Sequence, residues 1–425
     1  MSTLLNHKPA FIALLYCCIL LAGCGGSNNL PITTDTITET EEKGQINIGE
    51  RPIRIASLLQ DGELKSRLQS CNTETISRQS FSIGHRGAPL GFPEHTRESY
   101  LAAASQGAGS IECDVTFTKD EELVCRHSQC DLHTTTNILE TPLAERCSVA
   151  PNFSAAKPFA NVRCCTTDIT LEEFKTLKGR HDAVYKSARE LSDYYAPAAS
   201  RIVAGGPDRG ELMTHAESIK LFDELGVTMM PELKQTLKAS GDEHFPTRKQ
   251  LADTLVAEYA DANIDPSQVF IQSFNASDLS YLRTSESDFS QNLVLLDGRY
   301  NKLGFNSNTA STWQPSMQEL ADSGLTILAP PLWMLLTLDD DKNIVPSPYA
   351  IEAQAAGLRL IAWTLERSGN LAKGGGFYYK TISKIIDDES DMLVVLDVLA
   401  QDVGVEAVFS DWPATTTYYA HCSQE

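Results

Sequence analysis

The chain has 425 residues, 42% of them hydrophobic and 21% charged, and a formal net charge of −21. That length holds one large domain or two to three ordinary ones, and the composition is that of a globular chain with ample core. So acidic a protein has no electrostatic footprint for nucleic acid and is repelled by anionic lipid surfaces, so an anionic ligand must be met by local cations or a bound metal.

Taken in chain order, Lys8 precedes an apolar run, Phe11–Ala22, too short to span a bilayer comfortably but suited to the core of an export signal. The following Leu21-Ala22-Gly23-Cys24 resembles the lipobox of bacterial lipoproteins, in which the cysteine is lipidated. The expectation is a signal peptide over 1–23, a lipid anchor on Cys24 as the membrane partner, and a flexible Thr/Asn/Glu-rich tether over 24–50. The chain is then exported and held to the bacterial cell envelope, at the outer membrane or periplasmic face, because Gly25 rather than Asp follows the cysteine.

Arg54–Arg67 reads as a short helix leading into the domain. From Phe81 onward short apolar runs alternate with amphipathic stretches. Eight runs read as strands: Phe81–Gly84, Ser110–Thr116, Val227–Leu233, Val269–Phe274, Leu293–Leu296, Leu325–Ala329, Leu358–Thr364 and Glu406–Ser410. Between them, Glu98–Gln106, Ala216–Leu225, Arg248–Asn263 and Met392–Val403 repeat apolar residues every three or four positions, which gives each helix one buried face. Eight strands alternating with helices predict an α/β chain folded as a (β/α)8 TIM barrel over 51–127 and 214–425. A doubly wound sheet is second, since no Gly-x-Gly-x-x-Gly follows the first strand. Leu123–His127 follows the second strand after a polar turn with no room for a helix, so it should return as a hairpin partner. Residues 128–213 then read as a small inserted domain over the barrel mouth.

Eight cysteines remain once Cys17, Cys18 and Cys24 are set aside. An even set in an exported chain favours disulfides over metal ligation, and no zinc spacing is present. The pairing is not readable, although a bond between Cys71 and Cys422 would join barrel ends that lie close together.

Barrel active sites sit at the C-terminal ends of strands. There the sequence places His85-Arg86-Gly87 and Pro93-Glu94, then Glu112-x-Asp114, His127, and Pro231-Glu232-Leu233-Lys234. Glu112 and Asp114 are two apart on a strand and share a face, with Ile111, Cys113 and Val115 on the other. Two inward carboxylates repel strongly unless a cation lies between them, and Glu232 brings a third oxygen ligand. One divalent cation, Ca2+ or Mg2+, fits such a set; the plainer reading makes these carboxylates salt-bridge partners of Arg86 and Lys234. His85 and His127 at the same rim suit a general acid/base pair. The guanidinium of Arg86 can grip a phosphate, and Lys234 can neutralise it. His133, His181, His215, His244 and His421 lack partners at ligand spacing and read as surface residues. The Lys373–Tyr379 run reads as a flexible rim loop, with a phosphate-cradling lid as its second reading.

These motifs, with Pro93-Glu94-His95-Thr96, Gln272-Ser273-Phe274, Trp363-Thr364 and Ser410-Asp411-Trp412-Pro413, resemble the glycerophosphodiester phosphodiesterase signature in order and spacing from about Phe81 to Pro413. The resemblance implies that Glu112, Asp114 and Glu232 hold the metal and that His85 and His127 are the acid/base pair. It implies phosphate contacts from Arg86 and Lys234, and places Glu94 and Trp363 among the substrate-binding residues. The implied reaction is hydrolysis of a small-molecule glycerophosphodiester to glycerol 3-phosphate and an alcohol. Direct attack by water and a cyclic intermediate opened by water are both open routes. Two departures stand out: His95 replaces the family's Asn, and Ser128 replaces the Asp that follows the second histidine. Two other readings compete. One is a lysophospholipase D-like or cyclising phosphodiesterase on lipids, which an aromatic mouth would favour. The other is a surface lipoprotein that binds without turnover, against which the intact acid/base pair argues.

Overall fold

The computed structural model describes residues 45–199, 209–236 and 247–424. The signal segment, Cys24, most of the tether and His244 lie outside the described residues. Nine strands carry the argument: β1 (Gln79–Gly84), β2 (Ala108–Phe117), β3 (Leu123–Cys125), β4 (Thr228–Leu233), β5 (Ile271–Ser273), β6 (Leu293–Leu296), β7 (Ile327–Ala329), β8 (Arg359–Ala362) and β9 (Ala407–Ser410). All but β3 are parallel, in the order β1-β2-β4-β5-β6-β7-β8-β9, and β9 pairs back onto β1 through Ser82↔Val408 and Ile83↔Phe409. That closure makes the predicted eight-stranded barrel. β3 turns back antiparallel onto the outer end of β2, with Val115 opposite Cys125 and Phe117 opposite Leu123, as the short polar turn requires.

Alternation along each strand sorts the core into two shells. Inside the barrel, Ile83, Met230, Val294, Leu296, Ile327, Ile361 and Phe409 pack together. Outward residues such as Ile111, Cys113, Val115, Met229 and Leu295 join the larger cluster under the helices. Because both faces are covered, the strands read as nearly continuous apolar runs, and polar side chains facing inward at strand ends stand out.

Helix starts follow their capping residues. Thr214 and Thr247 each accept from the third helical amide, and Glu217 and Gln250 reach back to the cap; such caps are worth about 1 kcal/mol. The single entry helix expected at Arg54–Arg67 is two helices, Arg51–Leu58 and Glu63–Ser70. The Gln60-Asp61-Gly62 turn, with its polar residues and glycine, interrupts the run. Both helices pack against the closing helix Pro413–Cys422, and the Cys71–Cys422 disulfide joins the barrel ends as anticipated.

Between β3 and the helix His215–Leu225 the described residues have their own apolar cluster, built on Leu132, Ile138, Phe159, Phe174 and Tyr194. Disulfides Cys130–Cys165 and Cys147–Cys164 cross-link it. It meets the barrel at the mouth, where Thr96 bridges to Leu212 and Gly179 packs against Thr96 and Pro93. Among the described residues no helix is long and apolar enough to cross a membrane.

Candidate active site

The barrel brings Glu112 and Asp114 from β2 and Glu232 from β4 together at the C-terminal rim. One oxygen from each lies within 4.8 Å of the others, and all three are buried. Their register explains this: Asp114 sits opposite Glu232 in the β2/β4 ladder. Gln272 on β5 donates to Glu112 Oε1 at 2.7 Å, and the Arg86 amide donates to Oε2 at 3.1 Å. His95 Nε2 lies 2.8 Å from Asp114 Oδ2, and its other nitrogen contacts the Tyr100 hydroxyl at 2.9 Å. His95 has φ +54°, a left-handed conformation that Asn and His tolerate better than most residues, so the replacement is sterically compatible.

The donor set fits a hard divalent cation. Asp114 Oδ1 is buried with no hydrogen-bond partner, and the nearest cation, Lys234 Nζ, stands 3.8 Å away. Burial, then the Asp114 and Glu232 charges, push the Glu112 carboxyl well above its ordinary range. Burial also raises Glu232, to about 7, although Lys234 at 2.7 Å opposes it. Burial works in the same direction on Asp114, but Lys234 and His95 hold that carboxyl well below its usual value. Three oxygens converging with too little positive charge are what an oxygen-ligated cation requires.

His85 comes to this rim directly after β1, and His127 two residues after β3. The Nδ1–H of His85 donates to Asp411 Oδ1 at 2.5 Å, leaving Nε2 to face inward, 3.8 Å from Glu112 Oε2. Burial lowers the His85 pKa to about 4 despite Asp411. His127 lies past the hairpin and lines a cleft of about 520 Å³ with Ser128, Glu232, Lys234, Arg248 and Phe274. Its pKa too is lowered, by burial and then by Arg86 and Lys234.

The substrate-binding candidates separate in the structure. Lys234 faces the cleft. Arg86 is buried and held by Glu94 at 2.9 Å, with Asp114 3.7 Å away. Glu94 is saturated by arginines, accepting from Arg86 and from Arg367 at 3.2 Å, so it orients Arg86. Trp363, half-buried, donates its indole N–H to the Ala329 carbonyl at 2.7 Å and presents ring surface to its aromatic neighbours. The Lys373–Tyr379 run contributes Phe377 and Tyr378 to the same group of rings.

Several contributors escaped sequence reasoning. Asp411 stands in the sequence only as part of a motif, yet it is the partner of His85, and its place directly after β9, at the C-terminal end of the last barrel strand, was the available signal. Arg367, after β8, ion-pairs with Asp411 at 2.9 Å, with Glu94, and with Asp182 of the inserted segment at 2.8 Å. Where Ser128 breaks the His-Asp pattern, Asp131 and Glu94 each bring an oxygen within 4.8 Å of a His127 nitrogen. Arg126, fully buried beside His127, stands 3.6 Å from Asp131 and 3.9 Å from Glu94. One expectation is corrected outright. His215 is not at the surface but fully buried, its nitrogens meeting Glu258 at 2.7 Å and the Tyr259 hydroxyl at 3.3 Å. His133 and His181 are likewise buried rather than at the surface.

Comparison with known proteins places the chain in a family and a fold. An extracellular protein of Arthroderma benhamiae is 40% identical over 217 residues, covering 50% of this chain and 86% of that one. A glycerophosphodiester phosphodiesterase of Arabidopsis thaliana is 21% identical over 357 residues, covering 80% and 85%. The crystal structure of a putative glycerophosphoryl diester phosphodiesterase from Silicibacter pomeroyi superposes with a TM-score of 0.53 at 16% identity, covering 83% of this chain and 95% of that one, a likeness of fold. The model of the glycerophosphoryl diester phosphodiesterase family matches residues 85–415, from the first rim histidine to the start of the closing helix, and the chain belongs to that family.

Proposed function

We propose that the chain hydrolyses glycerophosphodiesters to glycerol 3-phosphate and an alcohol, with one divalent cation held by Glu112, Asp114 and Glu232 and with His85 and His127 as acid and base. The observation that carries this reading is the convergence of three buried carboxylates on one rim, flanked by two histidines from different strands. When bound, the cation supplies Lewis-acid polarisation of the phosphate and of a coordinated hydroxyl. Lys234, facing the cleft, neutralises phosphate charge, and Arg86 backs it from behind Glu94. His85 takes at Nε2 the proton of the attacking oxygen, either water or a glycerol hydroxyl whose cyclic phosphate a water then opens, and Asp411 stabilises the resulting imidazolium through Nδ1–H. His127, in the open cleft, is the acid that delivers a proton to the departing alkoxide, and its lowered pKa makes the protonated ring a strong acid but a minor species near neutral pH. Export and anchoring through Cys24 belong to the same proposal, and metabolic labelling with a fatty acid that is lost in Cys24→Ala tests them.

The decisive experiment is hydrolysis of glycerophosphocholine by the full chain, with chelator and then with Ca2+ or Mg2+ restored. Loss and recovery are expected; full activity in Glu112→Ala or His85→Ala overturns the proposal.

A second reading, action on a phosphodiester with a lipid chain, is favoured by one observation. The rim beyond β5 to β8 is aromatic: Phe274, Tyr300, Trp333, Trp363, Phe377 and Tyr378 form a chain of ring contacts with centroids 5.1–6.2 Å apart. Phe274 and Phe377 are 44% and 43% exposed, and Leu303 on the same rim is fully exposed. Such a wall is more apolar surface than a free glycerol needs. Phosphorus NMR of products from lysophosphatidylcholine and glycerophosphocholine separates the readings, and equal preference in wild type and Phe377→Ala rules the lipid reading out.

A further inference from the structure

The described cysteines are all paired, and one pair lies inside the catalytic arrangement. Cys113 stands between Glu112 and Asp114, and Cys125 stands two residues before His127. The strand β2 that carries Cys113 pairs with β4 from Ser110 through Val115 and with β1 as far as Ile111. Its carboxylates are therefore fixed by the barrel. The strand β3 that carries Cys125 is different. Its ladder to β2 has three residue pairs and ends at Cys125, after which the chain leaves the sheet and brings His127 to the cleft.

Three ties hold the chain at that departure point, the first being the Cys125 amide, which donates to the Met213 carbonyl at 3.1 Å beside the Val124–Thr214 bridge. The Cys113–Cys125 bond, with Cα atoms 5.2 Å apart, is covalent and lies buried on the outward side of β2. The Arg126 amide donates to the Asp114 carbonyl at 2.7 Å. The histidine's two preceding residues are thus anchored to the two residues at the metal-binding end of β2. A three-pair hairpin is marginal by itself, and an error of about 1 Å in a catalytic group costs about a hundredfold in rate.

We propose that Cys113 and Cys125 are positioning residues: their disulfide sets the placement of His127 relative to the carboxylates of β2. The inference rests on the acid/base role assigned to His127 above. It makes a claim that a purely stabilising bond does not satisfy. The Cys71–Cys422 bond spans 351 residues and the Cys113–Cys125 bond spans 12. Loop-closure entropy makes the long loop the costlier one to open. Stability and catalysis should therefore rank the two bonds in opposite order.

The test compares C113S/C125S with C71S/C422S in the full chain, with C113A/C125V as a second variant that refills the core. Expected for C113S/C125S are a kcat lowered about 10- to 100-fold, a KM within about threefold, and an unchanged affinity for Ca2+ or Mg2+ by calorimetry, since β2 stays in place. C71S/C422S should lose more thermal stability yet keep its kcat. Amide exchange at Arg126, His127 and Ser128, read without any substrate, should accelerate about tenfold or more in C113S/C125S alone. Unchanged exchange there, or a folded C113S/C125S or C113A/C125V with wild-type kcat, overturns the inference. So does failure of both variants to fold, because the bond is then a requirement of the fold. Wild-type chain that turns over no glycerophosphodiester instead overturns the functional reading, and the exchange measurement still decides the placement.

Discussion

Replacing Asp411 by Asn removes a charge and leaves the shape. Asp411 is 1% exposed, receives His85 Nδ1–H at 2.5 Å, and is paired through its other oxygen with Arg367 at 2.9 Å. Burial works to raise its pKa, but Arg367 and His85 bring it to about 2 from 3.8. A folded-state value depressed by nearly two units corresponds to about 2.5 kcal/mol, present above the unfolded pKa and lost as the pH falls through the folded one. At neutral pH the Asn variant should lose stability of that order, because His85 and Arg367 lose their anion. The catalytic effect is separate and larger. An amide can donate as well as accept, so the Nδ1–H tautomer is no longer enforced, and the imidazolium formed at Nε2 has no counter-charge. General-base catalysis contributes about 100- to 10,000-fold, so kcat should fall within that range while KM stays within about threefold. The assay is steady-state hydrolysis of glycerophosphocholine at saturating cation, well below the variant's melting temperature. A kcat within about threefold of wild type, or a loss confined to KM, refutes the positioning role given to Asp411.

Other outcomes follow from neighbouring geometry. Glu232→Gln should weaken Ca2+ or Mg2+ binding by calorimetry about 10-fold or more, since one of three charged oxygens is lost; unaltered affinity would remove these carboxylates from the metal site. His95→Asn should retain metal affinity, because an amide at the same left-handed position can donate to Asp114, whereas His95→Ala should lose about 10- to 100-fold. Glu366 accepts from the Ser410 hydroxyl at 2.7 Å and the Asp411 amide at 3.0 Å, and burial raises its pKa to about 7 from 4.5. A raised folded value means stability is fully present below the unfolded pKa and falls as the pH rises through the folded one, by about 3 kcal/mol in all. Denaturant titrations of Glu366→Gln between those pH values should show that decline abolished; a parallel decline in both proteins contradicts it.

The barrel was legible because a parallel strand covered on both faces is nearly all apolar, so its inward polar residues mark the rim. Glu112 and Asp114 could be assigned one face from their spacing alone, and the opposite placement of Cys113 and Val115 supported it. Contacts between residues far apart in sequence were less accessible. Arg367 meets Asp182 and Asp411, one 185 residues before it and the other in a different motif, and only barrel closure brings them together. The aromatic wall is dispersed in the same way, one or two rings per loop. His215 was misassigned because its partner Glu258 lies 43 residues on, on the next helix. Of four disulfides only Cys71–Cys422 was anticipated, from the proximity of barrel ends. The Cys113–Cys125 pairing depends on the register of a three-residue hairpin, which the residues do not announce.

Charge balance ties these features to the reaction. Around the rim, Glu94, Glu112, Asp114, Asp131, Glu232 and Asp411 face Arg86, Arg126, Lys234 and Arg367. These carboxylates outnumber the cations, and a bound divalent cation would offset that excess. Most of the arginine charge is already committed: Arg86 and Arg367 share Glu94, and Arg126 stands between Glu94 and Asp131. A phosphodiester entering without the cation would meet an excess of negative charge in a low dielectric, with Lys234 its main free attraction and that already 2.7 Å from Glu232. The arginines therefore brace the scaffold of carboxylates, and under the proposed function recognition of the anion would fall to the cation site and Lys234. This division is why removal of a rim arginine should disturb histidine placement and folding, while removal of the cation should abolish substrate binding itself.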